Sequence, residues 1–414
     1  MAVLTNIIDK AIGVLIFAYF ILSIIIPSSG YLVVGILILS LIGLMIRRHL
    51  QPIDKDERIF IFSFIAYFLL ALLNIYFFNI DLRELDSVSR FLLVLPIFFY
   101  LRISSIQSSW IAYGIALAVI VFGVGMVSEK LMKINLFEFD KHEGMITLYA
   151  GIYSISSLFF LNKNSNYLSL VIFSTAGFLG ISTMLLAGGR GVWIAAILTI
   201  LILILLNPNK WNKLERYLVI FIFISLFIVS FAIPNSGTYH RVEQAYSGIN
   251  EFISKDGAER DFSKGSSVMD RMEMWKAGSL IIIDNPITGV GLNNFKANTK
   301  KLIYEKKISP RVQNFNHPHG QFITTLVEQG ILGLCLLIFV IYSPLRVALK
   351  SIKNTRSKDH VSQIVILITT LFYFFYSLTN GIFAHQNTTL FYVLIISVAL
   401  ALIKRDSHQN YSPE

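Results

Sequence analysis

Charged residues are scarce in this sequence. Asp, Glu, Lys and Arg make up 14% of the 414 residues, whereas hydrophobic residues make up 55%. A soluble domain carries a charged share of about a quarter. Mean hydropathy is +0.66, and the apolar residues come in blocks of about 17–25, the length that crosses a bilayer as a helix. This composition excludes a soluble globular protein and predicts a polytopic membrane protein.

Cysteine is also nearly absent. Cys335 is the only one, which excludes an intrachain disulfide. Its apolar setting favours a packed thiol over a nucleophile. The amino-terminal segment has no small-residue cleavage site after a short apolar core, so we expect it to stay as the first span and not to be removed as a signal peptide.

Hydropathy predicts an all-α integral membrane protein, since only closed helices satisfy the backbone in lipid. We expect about twelve transmembrane helices, at residues 7–27, 31–46, 59–80, 88–101, 108–127, 145–161, 167–187, 191–206, 216–233, 320–345, 360–382 and 388–403. Helices 1–9 then occupy 1–233, a large loop occupies 234–318, helices 10–12 occupy 319–404, and a tail occupies 405–414.

The placement of Lys and Arg predicts the orientation of these helices. With both termini inside, the inner loops and helix ends hold seventeen Lys and Arg residues and the short outer loops hold six. The large loop then lies outside. The net charge of +10 is explained by basic cytoplasmic loops and by anionic lipid or substrate, so we expect no nucleic-acid partner.

The large loop contains a predicted helix. Ser266 or Ser267 can cap it, and it runs to about Asp284, before a proline. Arg271 and Trp275, four residues apart, would share one side. Side chains spaced three or four residues apart fall on one side of a helix and would form a stripe there. The stripe, which would contact the membrane surface or other helices, consists of Val268, Met272, Trp275 and Ser279.

Two histidines lie where this loop returns to the tenth span, His317 and His319 around Pro318. Water reaches a histidine at a membrane boundary, and we expect apolar surroundings to hold its pKa near neutrality. Either imidazole is a candidate general base for a hydroxyl; a plain interfacial residue that caps the next helix is the alternative. A metal pair is a third interpretation, which the lack of an accompanying Cys or Glu-x-x-His disfavours.

Three arginines are expected on the same outer side. Arg190, in LLAGGRGVWIAA, stands between two apolar spans, where arginine is costly unless it meets an anion or faces water; a snorkelling anchor is the alternative. Arg90 and Arg271 have carboxylates nearby in sequence, so surface ion pairs would explain them. Together the three predict a phosphate-binding site, because guanidinium forms forked hydrogen bonds with phosphate. The turn with Gly289 and Gly291 would add backbone N–H donors.

Three blocks resemble the O-antigen ligase family, the Wzy_C-type membrane glycosyltransferases: GGRGVW, DRMEMWKAGSLIIIDNPITGVGLNNF and HPHGQFITTLVEQGILGL, in that order. The weaker LDSVSRFLLVLP also fits. The resemblance implies a GT-C-like helical fold in the inner membrane of a Gram-negative bacterium, with its active site facing the periplasm. It implies transfer of a glycan from undecaprenyl diphosphate to a hydroxyl, without metal or other cofactor.

By this resemblance His319 would be the catalytic base, with His317 as a second candidate. Arg190 and Arg271 would hold the donor diphosphate, and Arg90 would be a secondary contact. Trp275, Gly289 and Gly291 would contribute further contacts. The sequence departs from the family at Gly320, where relatives commonly have Asn after the histidine; this removes a side-chain amide that could orient a substrate or cap the helix.

The resemblance leaves the acceptor open. A lipid A–core acceptor would make the protein an O-antigen ligase, a pilin Ser or Thr would make it a protein O-oligosaccharyltransferase, and a second repeat unit would make it a polymerase. The single large loop and the short carboxyl-terminal tail favour the ligase. A transporter of lipid-linked glycans would need ionisable groups at mid-membrane depth and internal repeats, and neither is visible in the sequence.

Overall fold

The computed structural model describes residues 2–47, 51–134, 143–161, 166–187, 189–206, 238–254, 267–353 and 360–409, with scattered positions between 213 and 228. Most of these residues are helical and none is in a strand, which confirms the all-α prediction. The helices, in chain order, are α1 Ala2–Ile25, α2 Gly30–Arg47, α3 Lys55–Phe78, α4 Asp86–Leu93, α5 Leu95–Leu101, α6 Ser109–Val127, α7 Glu143–Phe160, α8 Tyr167–Leu186, α9 Arg190–Leu206, α10 Thr238–Ser254, α11 Ser267–Asp284, α12 Phe295–Tyr304, α13 Gln321–Lys353, α14 His360–Ser377 and α15 Gln386–Gln409.

Within the described residues, eight helices are long and apolar enough to span a membrane: α1, α2, α3, α6, α8, α13, α14 and α15. Helices α7 and α9 are apolar but shorter. The predicted fourth span is wrong as a single helix, because the chain there forms α4 and α5, with Pro96 in the first turn of α5. At about 12 and 10 Å, neither piece can cross a bilayer alone. Most positions of the ninth predicted span, 216–233, lie outside the described residues.

A buried polar network joins the helix ends at one end of the bundle. Arg102 and Glu57 form a fully buried ion pair, 2.6 Å between Nε and Oε1. The same Glu57 completes a capping box with Asp54, whose carboxylate also pairs with Lys404 at 2.6 Å. Asp9 pairs with Arg47 at 2.7 Å. These groups come from the loops and helix ends that the charge distribution assigns to the inner side.

The opposite end carries a small helical unit, the loop subdomain, residues 267–315. The loop subdomain has a hydrophobic core distinct from that of the bundle, and Val327 of α13 completes it. The buried residues of this core are Met274, Ala277, Ile281, Val290, Phe295, Leu302, Ile308, Val312 and Val327. The predicted helix to Asp284 is confirmed by α11. The predicted stripe lies outside this core: Val268, Met272 and Trp275 are half-buried and Ser279 is exposed. Its contact with the membrane surface or other helices stays a prediction.

The loop subdomain is attached to α13 at a break in that helix. Gly330 has φ 63° and ψ −161°, values that interrupt the helix. The turn after α11 enters the break: the N–H of Val290 donates to the carbonyl of Val327 at 2.8 Å, and the N–H of Ile331 donates to that of Pro286 at 2.9 Å. The 23 residues after the break, 331–353, form a helix about 34 Å long, which is by itself long enough to cross a bilayer.

Gly289 and Gly291 belong to this attachment. Their φ values, 69° and 99°, are ones that glycine adopts readily. However, their N–H groups donate to the carbonyls of Asn285 and Glu328, and the next N–H, of Leu292, donates to Asn74 Oδ1 at 2.8 Å. The expectation of an anion-binding turn is therefore wrong. The N–H groups of Gly291 and Leu292 fix the loop subdomain to α13 and α3, and that of Gly289 bonds within the subdomain.

Replacing Gly330 with alanine should destabilise the protein. A Cβ at this position would lie 2.1 Å from the carbonyl oxygen of Ile287, and this region of φ and ψ is essentially restricted to glycine. We expect a loss of about 2 kcal/mol or more, seen as earlier thermal unfolding in detergent. Gly35→Ala is the control, since its Cβ would meet only Leu15 Cδ1, at 3.5 Å. Equal stability of the two variants would contradict the role of the break.

Candidate active site

The segment 317–321 is held by the loop between α14 and α15. The N–H of Gln321 donates to the carbonyl of Asn380 at 3.1 Å, and its side-chain oxygen accepts the N–H of Phe383 at 2.8 Å. The side-chain nitrogen donates to Thr325 one turn later, at 3.1 Å. The backbone N–H and the side-chain oxygen of one buried glutamine therefore fix the start of α13, and the histidines just before it, on this loop.

Both histidines lie in a compact arrangement at this start. The backbone N–H of His319 donates to Nδ1 of His317 at 3.3 Å, and the two ring centroids are 4.6 Å apart. His319 has a φ of 52°, in the left-handed region. The ring of His317 also meets that of His385, centroid to centroid 5.9 Å, and a Cβ on Gly381 would lie 3.3 Å from it.

Arg271 faces this histidine pair from α11. Its charge lowers the pKa of His319, and Tyr376, near the end of α14, interacts with it electrostatically. The expected ion pairs with its sequence neighbours do not form among the described residues. Asp270 pairs with Arg311 at 2.7 Å, and Glu273 accepts the N–H of Ser309 at 3.1 Å. Arg271 is thus a largely buried cation with no carboxylate partner in the described part of the chain.

Burial changes the protonation of the imidazoles. It lowers the pKa of His317 to about 4, with the neighbouring His319 and His385 adding to the effect. It lowers the pKa of His319 to about 4 as well, with Arg271 as the next cause. The expectation of a pKa near neutrality is wrong: both rings are neutral at pH 7, so each has a nitrogen lone pair. Burial also lowers the pKa of Arg271, but arginine stays charged because its ordinary value is so high.

Trp275 lies one turn after Arg271 on α11, on the side of the helix that faces the start of α13. Its indole Nε1 is buried and has no acceptor among the described residues. A Cβ on Gly320 would lie 3.4 Å from this nitrogen, so the indole lies against the backbone of Gly320. A buried N–H without an acceptor is costly, and a polar group of a bound substrate would satisfy it.

Arg190 begins α9, and its side chain lies outside the described residues. Its flanking glycines show where its backbone lies. A Cβ on Gly189 would meet Thr147 Oγ1 at 2.9 Å, and one on Gly191 would meet Tyr376 at 3.2 Å. The backbone of Arg190 therefore lies beside the tyrosine that interacts with Arg271; that the two arginines share one site stays a prediction.

Arg90 stands apart from the histidine pair, in α4. It pairs with Asp86 at 3.3 Å, as its sequence position indicates, yet its Nη1 is buried without a partner in the described residues. Asp86 also accepts from Gln386, the residue after His385. Arg90 and Gln386 line a groove of about 450 Å³ whose apolar side chains come from α2, α4 and α15, among them Val33, Val34, Leu37, Leu93 and Leu390.

Several residues of this site were not predicted from the sequence. His385 and Gln386 open the last span and join the histidine pair to the Arg90 groove. Tyr376 receives a 2.6 Å hydrogen bond from Asn380 and lies close to Arg271. The signal for His385 was available, since a histidine immediately before an apolar span, on the predicted outer side, is the pattern that singled out His317 and His319. Nothing in the sequence marked Tyr376 among the other aromatic residues of its helix.

The fold and the site define a polytopic membrane protein with a basic, histidine-containing site at one end. Residues 175–338 match the family model described as O-antigen ligase, Wzy_C. This range includes Arg190, Arg271, His317 and His319, and the match confirms the resemblance to the O-antigen ligase family. An uncharacterized protein of Haemophilus influenzae is 27% identical over 391 residues, which cover 91% of this chain and 95% of that protein.

Replacing Arg271 with glutamine should raise the pKa of His319 toward 6.5. The pKa should stay below 6.5, because burial, the larger cause, remains. Titration of histidine-labelled protein by NMR measures this, with the resonance assigned by its loss in a His319→Gln variant. Lys307→Gln is the control, because it removes an exposed cation of the loop subdomain that pairs with Glu305. An unchanged His319 pKa in Arg271→Gln would contradict the proximity of the two side chains.

Proposed function

We propose that this protein transfers a glycan from undecaprenyl diphosphate to a hydroxyl of lipid A–core oligosaccharide, on the periplasmic face of the inner membrane. This activity is O-antigen ligation. The observation that carries the proposal is the neutral imidazole of His319 beside the unpaired, largely buried guanidinium of Arg271. It is supported by the match of residues 175–338 to the O-antigen ligase family model.

His319 would act as the general base. Its neutral ring accepts the proton of the acceptor hydroxyl while the hydroxyl oxygen attacks the anomeric carbon of the donor glycan. The bond between that carbon and the diphosphate oxygen breaks, and undecaprenyl diphosphate leaves with the bonding electrons. Direct attack inverts the configuration at the anomeric carbon.

Arg271 would stabilise the leaving diphosphate. Its charge is already desolvated and has no carboxylate among the described residues to compete with a substrate, so the site is preorganised for an anion. A guanidinium can bind two phosphate oxygens through parallel hydrogen bonds. Arg190, whose backbone lies beside Tyr376, would provide the second cation of this clamp.

The groove at Arg90 would hold the lipid part of the donor. An unpartnered guanidinium nitrogen lies at its polar end, and aliphatic side chains line the rest. That division matches an amphiphile with an anionic head and a hydrocarbon chain. Because His385 and Gln386 lie between the groove and the histidine pair, one molecule could extend from the groove toward His319.

Deletion of the gene should remove the O-antigen ladder from lipid A–core, and only wild-type protein should restore it. His319→Ala should fail to restore it, because it removes the base. Gels of lipopolysaccharide and of total glycoprotein, run from the same cells, make the comparison. His360→Ala is the control: it removes a buried histidine at the opposite end of α14.

Other outcomes of these gels would identify one of the alternative functions or contradict the proposal. If lipopolysaccharide is unchanged and a protein loses its glycan, the acceptor is a protein. If single repeat units replace the ladder, the enzyme is a polymerase. If no glycan changes, the proposed transferase activity is wrong. Immunoblots of the membrane fraction establish that each variant is inserted.

The pH dependence of transfer should show a base with a depressed pKa. His319 must be neutral to accept a proton, so kcat/KM should hold as pH falls to about 5 and decline only as protonation begins near its pKa of about 4. The assay uses purified protein in liposomes, with circular dichroism at each pH to establish folding. An acid limb at about pH 6.5, the ordinary value for histidine, would contradict a buried base.

A further inference from the structure

We propose that His317 is a positioning residue, whose Nδ1 accepts the backbone N–H of His319 and thereby holds His319 in the conformation that places its ring at Arg271. This inference rests on the proposed function, in which His319 is the base. It assigns different roles to two histidines that the sequence leaves interchangeable.

The hydrogen bond spans two residues and closes a tight turn. An acceptor on the side chain of one residue that binds the N–H two positions later is the geometry of an Asx turn, here formed by imidazole. Pro318, between the two, has a ring-fixed φ. His319 follows with a φ of 52°, which is unfavourable for residues with a side chain and persists only when the surroundings impose it.

The same hydrogen bond fixes the tautomer of His317. Nδ1 can accept only through its lone pair, so the proton of the neutral ring resides on Nε2. The ring then has no second lone pair with which to take a proton from a hydroxyl. While the turn is closed, His317 can donate but cannot serve as the base. Burial, which keeps both rings neutral at pH 7, leaves the lone pair of His319 for that role.

The ring of His317 is itself restrained. It packs against Gly381, where a Cβ would approach to 3.3 Å of Nδ1 and Cε1, and against the ring of His385 at 5.9 Å. These contacts belong to the loop that also binds Gln321 on both its backbone and its side chain. His317 therefore ties the position of His319, the proposed base, to that of the loop between α14 and α15.

Replacing His317 with asparagine distinguishes a positioning residue from a general base. The side-chain oxygen of asparagine accepts the N–H two residues later, yet an amide cannot act as a base. We expect His317→Asn to transfer glycan within about threefold of wild type, because the turn is preserved. His317→Phe keeps a ring but has no acceptor, and we expect kcat to fall about a hundredfold, as for a misplaced catalytic group, with little change in KM. The assay is transfer in liposomes, with His319→Ala alongside.

If His317→Asn is as inactive as His319→Ala, His317 performs chemistry and the inference is overturned. If His317→Phe transfers like wild type, the turn is not needed and the inference is overturned as well. If His319→Ala itself transfers normally, the proposed base has failed first, and its positioning residue fails with it. Misfolding of His317→Phe does not affect the decision, because the asparagine variant alone distinguishes a base from an acceptor of the N–H.

A measurement without substrate tests the tautomer. In spectra of ¹⁵N-labelled histidine, the two ring nitrogens of a neutral imidazole have distinct shifts according to which one carries the proton. We expect His317 to show an unprotonated Nδ1 and a protonated Nε2 at pH 7. A protonated Nδ1 would exclude the hydrogen bond to His319 and overturn the inference.

Discussion

The break in α13 at Gly330 is the constraint on which the site depends. A continuous helix would offer no unpaired backbone groups to the turn after α11, because every carbonyl would accept from its own helix. At the break, the carbonyls of Val327 and Glu328 are free to accept from Val290 and Gly291. The backbone of a loop subdomain is thereby fixed to a helix that continues into the membrane. Since α11 belongs to that subdomain, the same bonds determine where Arg271 lies relative to His319, which lies two residues before the broken helix.

The electrostatics of the site follow from this attachment. Asp270 and Glu273, one on each side of Arg271 in sequence, are turned away to Arg311 and to the N–H of Ser309. Both partners lie in the short 3₁₀ helix of the loop subdomain and the residue before it. The carboxylates that could neutralise Arg271 are therefore used to hold the subdomain together. What remains at the site is a cation beside two neutral rings, which is costly without a ligand and favourable with a dianion.

The sequence predicted the helical class and most of the spans because apolar blocks of bilayer length are unambiguous. It did not predict that α4 and α5 would be separate or that α13 would be broken, since Arg90, Pro96 and Gly330 are single residues within apolar runs. It indicated Arg271 and His319 through residue chemistry and family resemblance, and the structure brings these two together. The glycine turn at 289–291 was misinterpreted, because a glycine pattern shows that a backbone adopts positive φ and does not show what its N–H groups bind. His385 and Tyr376 depend on tertiary contacts that sequence spacing does not encode.

The position of the site within the bundle explains how a lipid substrate and a rigid base can be combined. Helices α14 and α15 are the most enclosed of the eight long helices, with 78% and 83% of their apolar windows buried, whereas α2 has only 22% buried. The loop that holds His317 and Gln321 joins the two enclosed helices, so the proposed base is supported by the most buried of the long helices. The Arg90 groove opens beside α2, at the lipid-facing edge, where a hydrocarbon chain could enter without leaving the membrane. An amphiphile bound there would have its tail at the more exposed side of the bundle and its reacting end at the more enclosed side. This is the arrangement that a transferase needs if it must take its donor from the bilayer and keep its catalytic geometry.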